Sequence, residues 1–91
     1  MKPIRWSEEK NIIIKRAREI GFEHVEMALE QGRLLDIIDH PNKKKYTHQY
    51  LMIININKYA YVVPFVDEKD TYFLKTVFPS RKYTKLYLEK L

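Results

Sequence analysis

Apolar residues recur at helical spacing early in this chain and in short dense runs later, and the change of period marks out the elements. Ile4-Arg5-Trp6 suits a short edge strand. Ser7 reads as an N-cap, with Glu8 and Glu9 in the first turn, where carboxylates suit the helix dipole. Ile13, Ile14, Ala17 and Ile20 then fall on one helix face, with Lys10, Lys15, Arg16 and Arg18 mostly elsewhere. Gly21 is expected to stop this helix in the left-handed conformation. Phe22, Val25, Ala28 and Leu29 make a second apolar stripe, ended by Gly32.

After Gly32 the runs become short and β-branched. Leu34–Asp39, Tyr50–Ile56, Tyr59–Val66 and Tyr72–Phe78 are the predicted strands. A basic loop, Asn42–His48, separates the first two. Asn57-Lys58 is a turn in which Asn can take positive φ, and Asp67–Asp70 is another. Pro64 must sit where no ladder donor is needed. The run Tyr72–Phe78 is apolar on both alternating faces, which predicts a place deep in a sheet with Lys75 inside it. Pro79 breaks that strand and Ser80 caps a last helix, in which Tyr83, Leu86, Tyr87 and Leu91 fall near one face. The order is strand, helix, helix, four strands, helix. Tight turns predict an antiparallel meander with the helices on one face: a single α+β two-layer domain over residues 1–91.

Composition narrows the class. The chain is 45% hydrophobic and 32% charged, as an ordinary globular domain is. Without cysteine it has no disulfide, zinc-thiolate or iron–sulfur option, which agrees with a cytoplasmic setting. Neither a signal-peptide core nor a membrane-length apolar run is present, so no membrane partner is expected. The net charge of +5 is uneven. Residues 1–40 carry seven Lys/Arg against eight Asp/Glu; residues 41–91 carry ten against four. The basic half is the predicted sheet and last helix, and it points to an anionic partner: nucleic acid or an acidic protein.

Two glycines leave no phosphate-cradling loop, and His24, His40 and His48 lack metal-ligand spacing, so neither a cofactor nor a metal is expected. What remains is basic and aromatic: Lys43, Lys44, Lys45, Tyr46, His48, Lys75, Arg81, Lys82, Tyr83, Lys85 and Tyr87. Such a set is sufficient to cleave RNA. The 2′-OH is an internal nucleophile, so the protein needs only to orient the chain, move two protons and stabilise charge on phosphorus. Arg81 suits the last task because its planar fork meets two phosphate oxygens. Lys75 serves as a second cation or proton carrier, and His48 as an acid or base. Lys43, Lys44, Lys45, Lys82 and Lys85 would hold the RNA backbone. Each has a plainer reading: Lys75 snorkels from a strand end, Lys43–Lys45 is a solvated loop, and Tyr83 and Tyr87 pack the core. Arg81 fits the plain reading least, since a cation in a first helical turn opposes the dipole.

Several short signatures, in order, resemble the BrnT-type toxins of bacterial type II toxin–antitoxin systems, within the wider RelE/ParE-like group. They are Ile4-Arg5-Trp6 followed by Glu9-Lys10-Asn11, then Gly21-Phe22-Glu23, then Leu74-Lys75-Thr76-Val77-Phe78-Pro79-Ser80-Arg81-Lys82. The resemblance implies a RelE-like fold and metal-independent ribonuclease activity that halts translation. It also implies neutralisation by a cognate DNA-binding antitoxin, in a higher-order complex, and places the basic active-site positions on Lys75 and Arg81. The chain departs from the family in two places: Glu19-Ile20 stands where a Lys-His pair is common, and Pro79 stands where a small residue precedes the serine. A non-catalytic nucleic-acid-binding or protein-interaction module is the alternative.

Overall fold

The computed structural model describes residues 1–89. In order, its elements are β1 (Ile4–Trp6), α1 (Glu8–Arg18), α2 (Phe22–Glu30), β2 (Leu34–Asp39), β3 (Gln49–Ile56), β4 (Tyr59–Asp67), β5 (Tyr72–Leu74), β6 (Phe78–Pro79) and α3 (Arg81–Tyr87). They form a small α+β domain with a mixed sheet in the order β1-β5-β4-β3-β2, and β6 also lies beside β4. Strands β2 to β5 run antiparallel, as short turns dictate. The pure meander needs one correction: β1 lies parallel to β5, with Arg5 opposite Phe73. The chain between them includes two helices and three strands, so no hairpin forces an antiparallel pairing there.

Strand β3 is apolar on both faces because both are covered. Met52, Ile54 and Ile56 join Ile14, Ile20, Phe22, Val25 and Ala28 in the core beneath α1 and α2. Leu51 and Ile53, with Ala60 and Val62, meet Tyr83, Tyr87 and Leu88 from α3 and its end. The helices therefore do not share one face as expected: α1 and α2 take one side and α3 the other. The stripe expected for α3 shifts accordingly. Thr84 is buried while Leu86 is exposed, and Leu91 lies outside the described residues.

The first helix departs from its pattern in the same way. Ile14 and Ile20 are buried, but Ile13 is 57% exposed and Asn11 is fully buried. Asn11 ties the two helices together. Its Oδ1 accepts the Phe22 N–H at 2.8 Å, one of the orphan donors of the α2 first turn, and its Nδ2 donates to Glu23 Oε1 at 2.9 Å. Gly21 is not the left-handed stop either. Glu19 takes that conformation, with φ 56°, while Gly21 is extended and caps α2. The glycine is needed for space, since a Cβ there would come within 2.7 Å of Asn11 Oδ1. Gly32, with φ 71°, does sit just past the end of α2 in the left-handed region, as expected.

The predicted strand Tyr72–Phe78 is split. Leu74 pairs with Phe65 and Phe78 with Val62, so Lys75, Thr76 and Val77 stand opposite only Val63 and Pro64. One extra residue makes this a bulge. The cause lies across the ladder. Lys75 N–H donates to Pro64 O at 2.8 Å, and a strand residue's N–H and C=O point to the same side. The donor that Pro64 lacks is therefore missing toward this segment, and the strand cannot pair continuously past it. The extra residue also reverses the faces: Leu74 and Val77 enter the α1/α2 core, and Phe78 enters the α3 core.

Candidate functional site

Lys75 is not a cation inside a buried strand. It lies in the bulge, exposed, with Nζ 5.7 Å from the centre of the Phe73 ring. The Arg5 guanidinium lies 4.5 Å from the same ring and holds Glu68 through two 2.9 Å hydrogen bonds. Phe73 is thus a half-buried aromatic with two cations near its ring. Sequence reading passed over it because its strand is apolar throughout; only its alternation against Tyr72 and Leu74 marks it as facing away from the α1/α2 core.

Helix α3 is held in place by polar contacts from Ser80 and Thr84. Ser80 Oγ accepts the Tyr83 N–H at 3.1 Å as N-cap, and Ser80 N–H donates to Ala60 O at 2.9 Å. The buried Thr84 Oγ1 accepts the Ala60 N–H at 2.8 Å and donates to Ser80 O at 2.7 Å. Tyr83 and Tyr87 pack inward, in agreement with their core reading. The Tyr87 hydroxyl donates to Asp36 Oδ2 at 2.6 Å, and that bond, with burial, pushes its pKa up. With the inward positions taken, Arg81, Lys82 and Lys85 are all exposed. Arg81 and Lys85 are one turn apart and so share a flank. No acidic residue occupies the first turn.

The sheet keeps the other candidates at its far end. His48 immediately precedes β3, and its carbonyl accepts the Asp67 N–H at 2.9 Å. Arg81 follows Ser80, which bonds to Ala60, and Ala60 is opposite Asn55. From Gln49 to Asn55 the strand climbs about 20 Å at ~3.3 Å per residue. His48 and the loop bearing Lys43, Lys44 and Lys45 are therefore separated from Arg81 by most of the sheet. Lys75, beside Pro64, lies between the two ends. In the loop, Lys43 pairs with Asp39 at 3.0 Å, and Lys45 Nζ lies 5.3 Å from the Tyr46 ring.

The ion pairs sharpen the charge asymmetry. Asp67 and Glu68 are two of the four acidic residues of the basic half, and they are taken by Lys2 and Arg5 of the other half. Lys44, Lys45, Lys58, Lys69, Lys75, Arg81, Lys82 and Lys85 form no salt bridge with a described carboxylate. No group of three His, Asp or Glu gathers to hold a metal ion among the described residues, and no described helix is long and apolar enough to cross a membrane. Comparison with protein-family models, curated proteins and solved structures gave no match.

Proposed function

We propose that this protein is a toxin-type endoribonuclease with a RelE-like fold, cutting RNA without a metal and held in check by a DNA-binding antitoxin. The observation that carries the reading is the row of exposed cations on α3, Arg81, Lys82 and Lys85, with Lys75 on the segment leading into it. None of them is neutralised by a described carboxylate. Arg81 binds the scissile phosphate and stabilises the charge that grows on it when the neighbouring 2′-OH attacks. Lys75 supplies a second positive charge or carries a proton. Lys82 and Lys85 hold the flanking backbone. Lys43, Lys44, Lys45 and His48 are too far along the sheet to serve the same phosphate, and they extend the RNA track instead. An antitoxin acts by covering this basic flank with acidic side chains. The sequence signatures shared with BrnT-type toxins run through Lys75 and Arg81 and support the same assignment.

One observation favours a second reading, a binding module that does not cut: no histidine or carboxylate is placed beside Arg81 among the contacts of the described residues. Incubating purified protein with RNA in excess chelator, with and without ribosomes, separates the two. Attack by the 2′-OH leaves a 2′,3′-cyclic phosphate and a 5′-hydroxyl, and fragments with those ends support the nuclease. Retardation of uncut RNA under both conditions supports the binder. Intact, unretarded RNA at low salt contradicts both.

A further inference from the structure

A concave surface lies on the side of the sheet opposite α3. A cleft of about 410 Å³ opens between the outer end of α2 and the β3–β4 turn, within the size range of small-molecule sites. Its lining includes Arg33 and Lys58, which form no salt bridge with a described residue, and it includes no carboxylate. His24 adds a neutral donor. The Gly21 N–H donates to His24 Nδ1 at 3.0 Å, so Nδ1 carries no hydrogen and Nε2–H is left for another partner. Met27 and Ile56 supply apolar wall, and Met27 is 56% exposed in spite of its size. A thioether beside open space is a soft, polarisable surface for a flat ring.

The cleft is also firmly built. Arg33 is fixed on both sides of its backbone: its N–H donates to Ala28 O at 2.8 Å and its carbonyl accepts the Asn55 N–H at 3.0 Å. Lys58 sits in a two-residue hairpin turn in which Asn57 and Lys58 both have positive φ, 54° and 66°. Two fixed cationic positions, a neutral donor and an apolar wall together fit an anion attached to a ring. We propose that this cleft binds a nucleotide, with the phosphate on Arg33 and Lys58 and the base against Met27 and Ile56. The proposal goes beyond the function given above, because it concerns another face and stands if Arg81 has no role.

The nucleotide could be free or one unit of a bound RNA, and the test distinguishes the two. Adenosine 5′-monophosphate, inorganic phosphate and a short single-stranded RNA are titrated separately into the full chain, with amide chemical shifts as the readout. The proteins are the parent, the Arg33→Gln/Lys58→Gln double variant and Arg81→Ala. The exposed substitutions leave the spectrum of the fold unchanged. For a free-nucleotide site, the monophosphate shifts Met27, Ile56 and Asn57 more strongly than phosphate does. The double variant then weakens binding about tenfold or more, and Arg81→Ala leaves it intact. For a chain-nucleotide site, only the RNA shifts these amides, with the same loss in the double variant. The proposal is overturned if neither ligand moves them, or if the double variant binds as the parent does. Loss of RNA cleavage in Arg81→Ala with the cleft titration unchanged separates the two sites.

Discussion

At the scale of single residues, the least expected arrangement is around Asn11. Asn11, outside the expected apolar stripe, is buried while Ile13 within it is exposed; its amide serves both helices, and Gly21 is required because of it. The same knot makes Glu23 a titrating group. Hydrogen bonds from Lys15 and Asn11 hold its carboxyl down from 4.5 to about 2. A depressed carboxylate contributes stability above its unfolded pKa and loses it as pH falls through the folded one. The contribution is therefore full above about pH 4.5 and disappears toward about pH 2. With the side chain 46% exposed, solvent screening reduces it to about 1 kcal/mol. Melting followed from about pH 5 to about pH 2.5 should show a smaller loss in Glu23→Gln than in the parent, since Gln keeps the Asn11 bond but does not titrate. An equal loss in both would place the acid sensitivity elsewhere.

At the scale of elements, α3 is seven residues long and has little stability of its own. Thr84 fixes it by satisfying a strand donor, the Ala60 N–H. Thr84→Val keeps the shape but leaves that donor buried and unpaired, which should cost about 1–3 kcal/mol. Urea unfolding measures the loss, and faster hydrogen exchange of the amides of residues 84–88 localises it; parent-like stability would mean the contact is idle. Most elements were legible because their signals are local: the Ser7 and Ser80 caps, the positive-φ turn at Asn57-Lys58 and the dense apolar runs. The split of the last strand was not, because its cause, the missing donor of Pro64, lies on a neighbouring strand ten residues away. The exposure of Lys75 was hidden for the same reason. Likewise Arg81 could be picked out as misplaced in a first helical turn, but its distance from His48 depends on the full length of β3, which no local pattern encodes.

At the scale of the whole molecule, the two halves of the chain exchange charge. Lys2 and Arg5 take up Asp67 and Glu68, and the cations of α3 and the bulge are left facing water. A surface of this kind binds single-stranded nucleic acid largely by releasing counterions, with a salt slope near −0.7 per phosphate. Replacing Lys82 and Lys85 by Gln should weaken RNA binding about equally for all sequences and flatten the slope by about 1.4. A change confined to one RNA sequence would instead mean that these side chains read bases. Whether Arg81 acts on RNA is tested most directly by induced expression of the parent and of Arg81→Ala. Arg81 is exposed, and its side chain forms no salt bridge with a described residue, so the variant should melt as the parent does. The parent should arrest growth and Arg81→Ala should not; arrest by the variant equal to that of the parent would mean that Arg81 does not act on RNA.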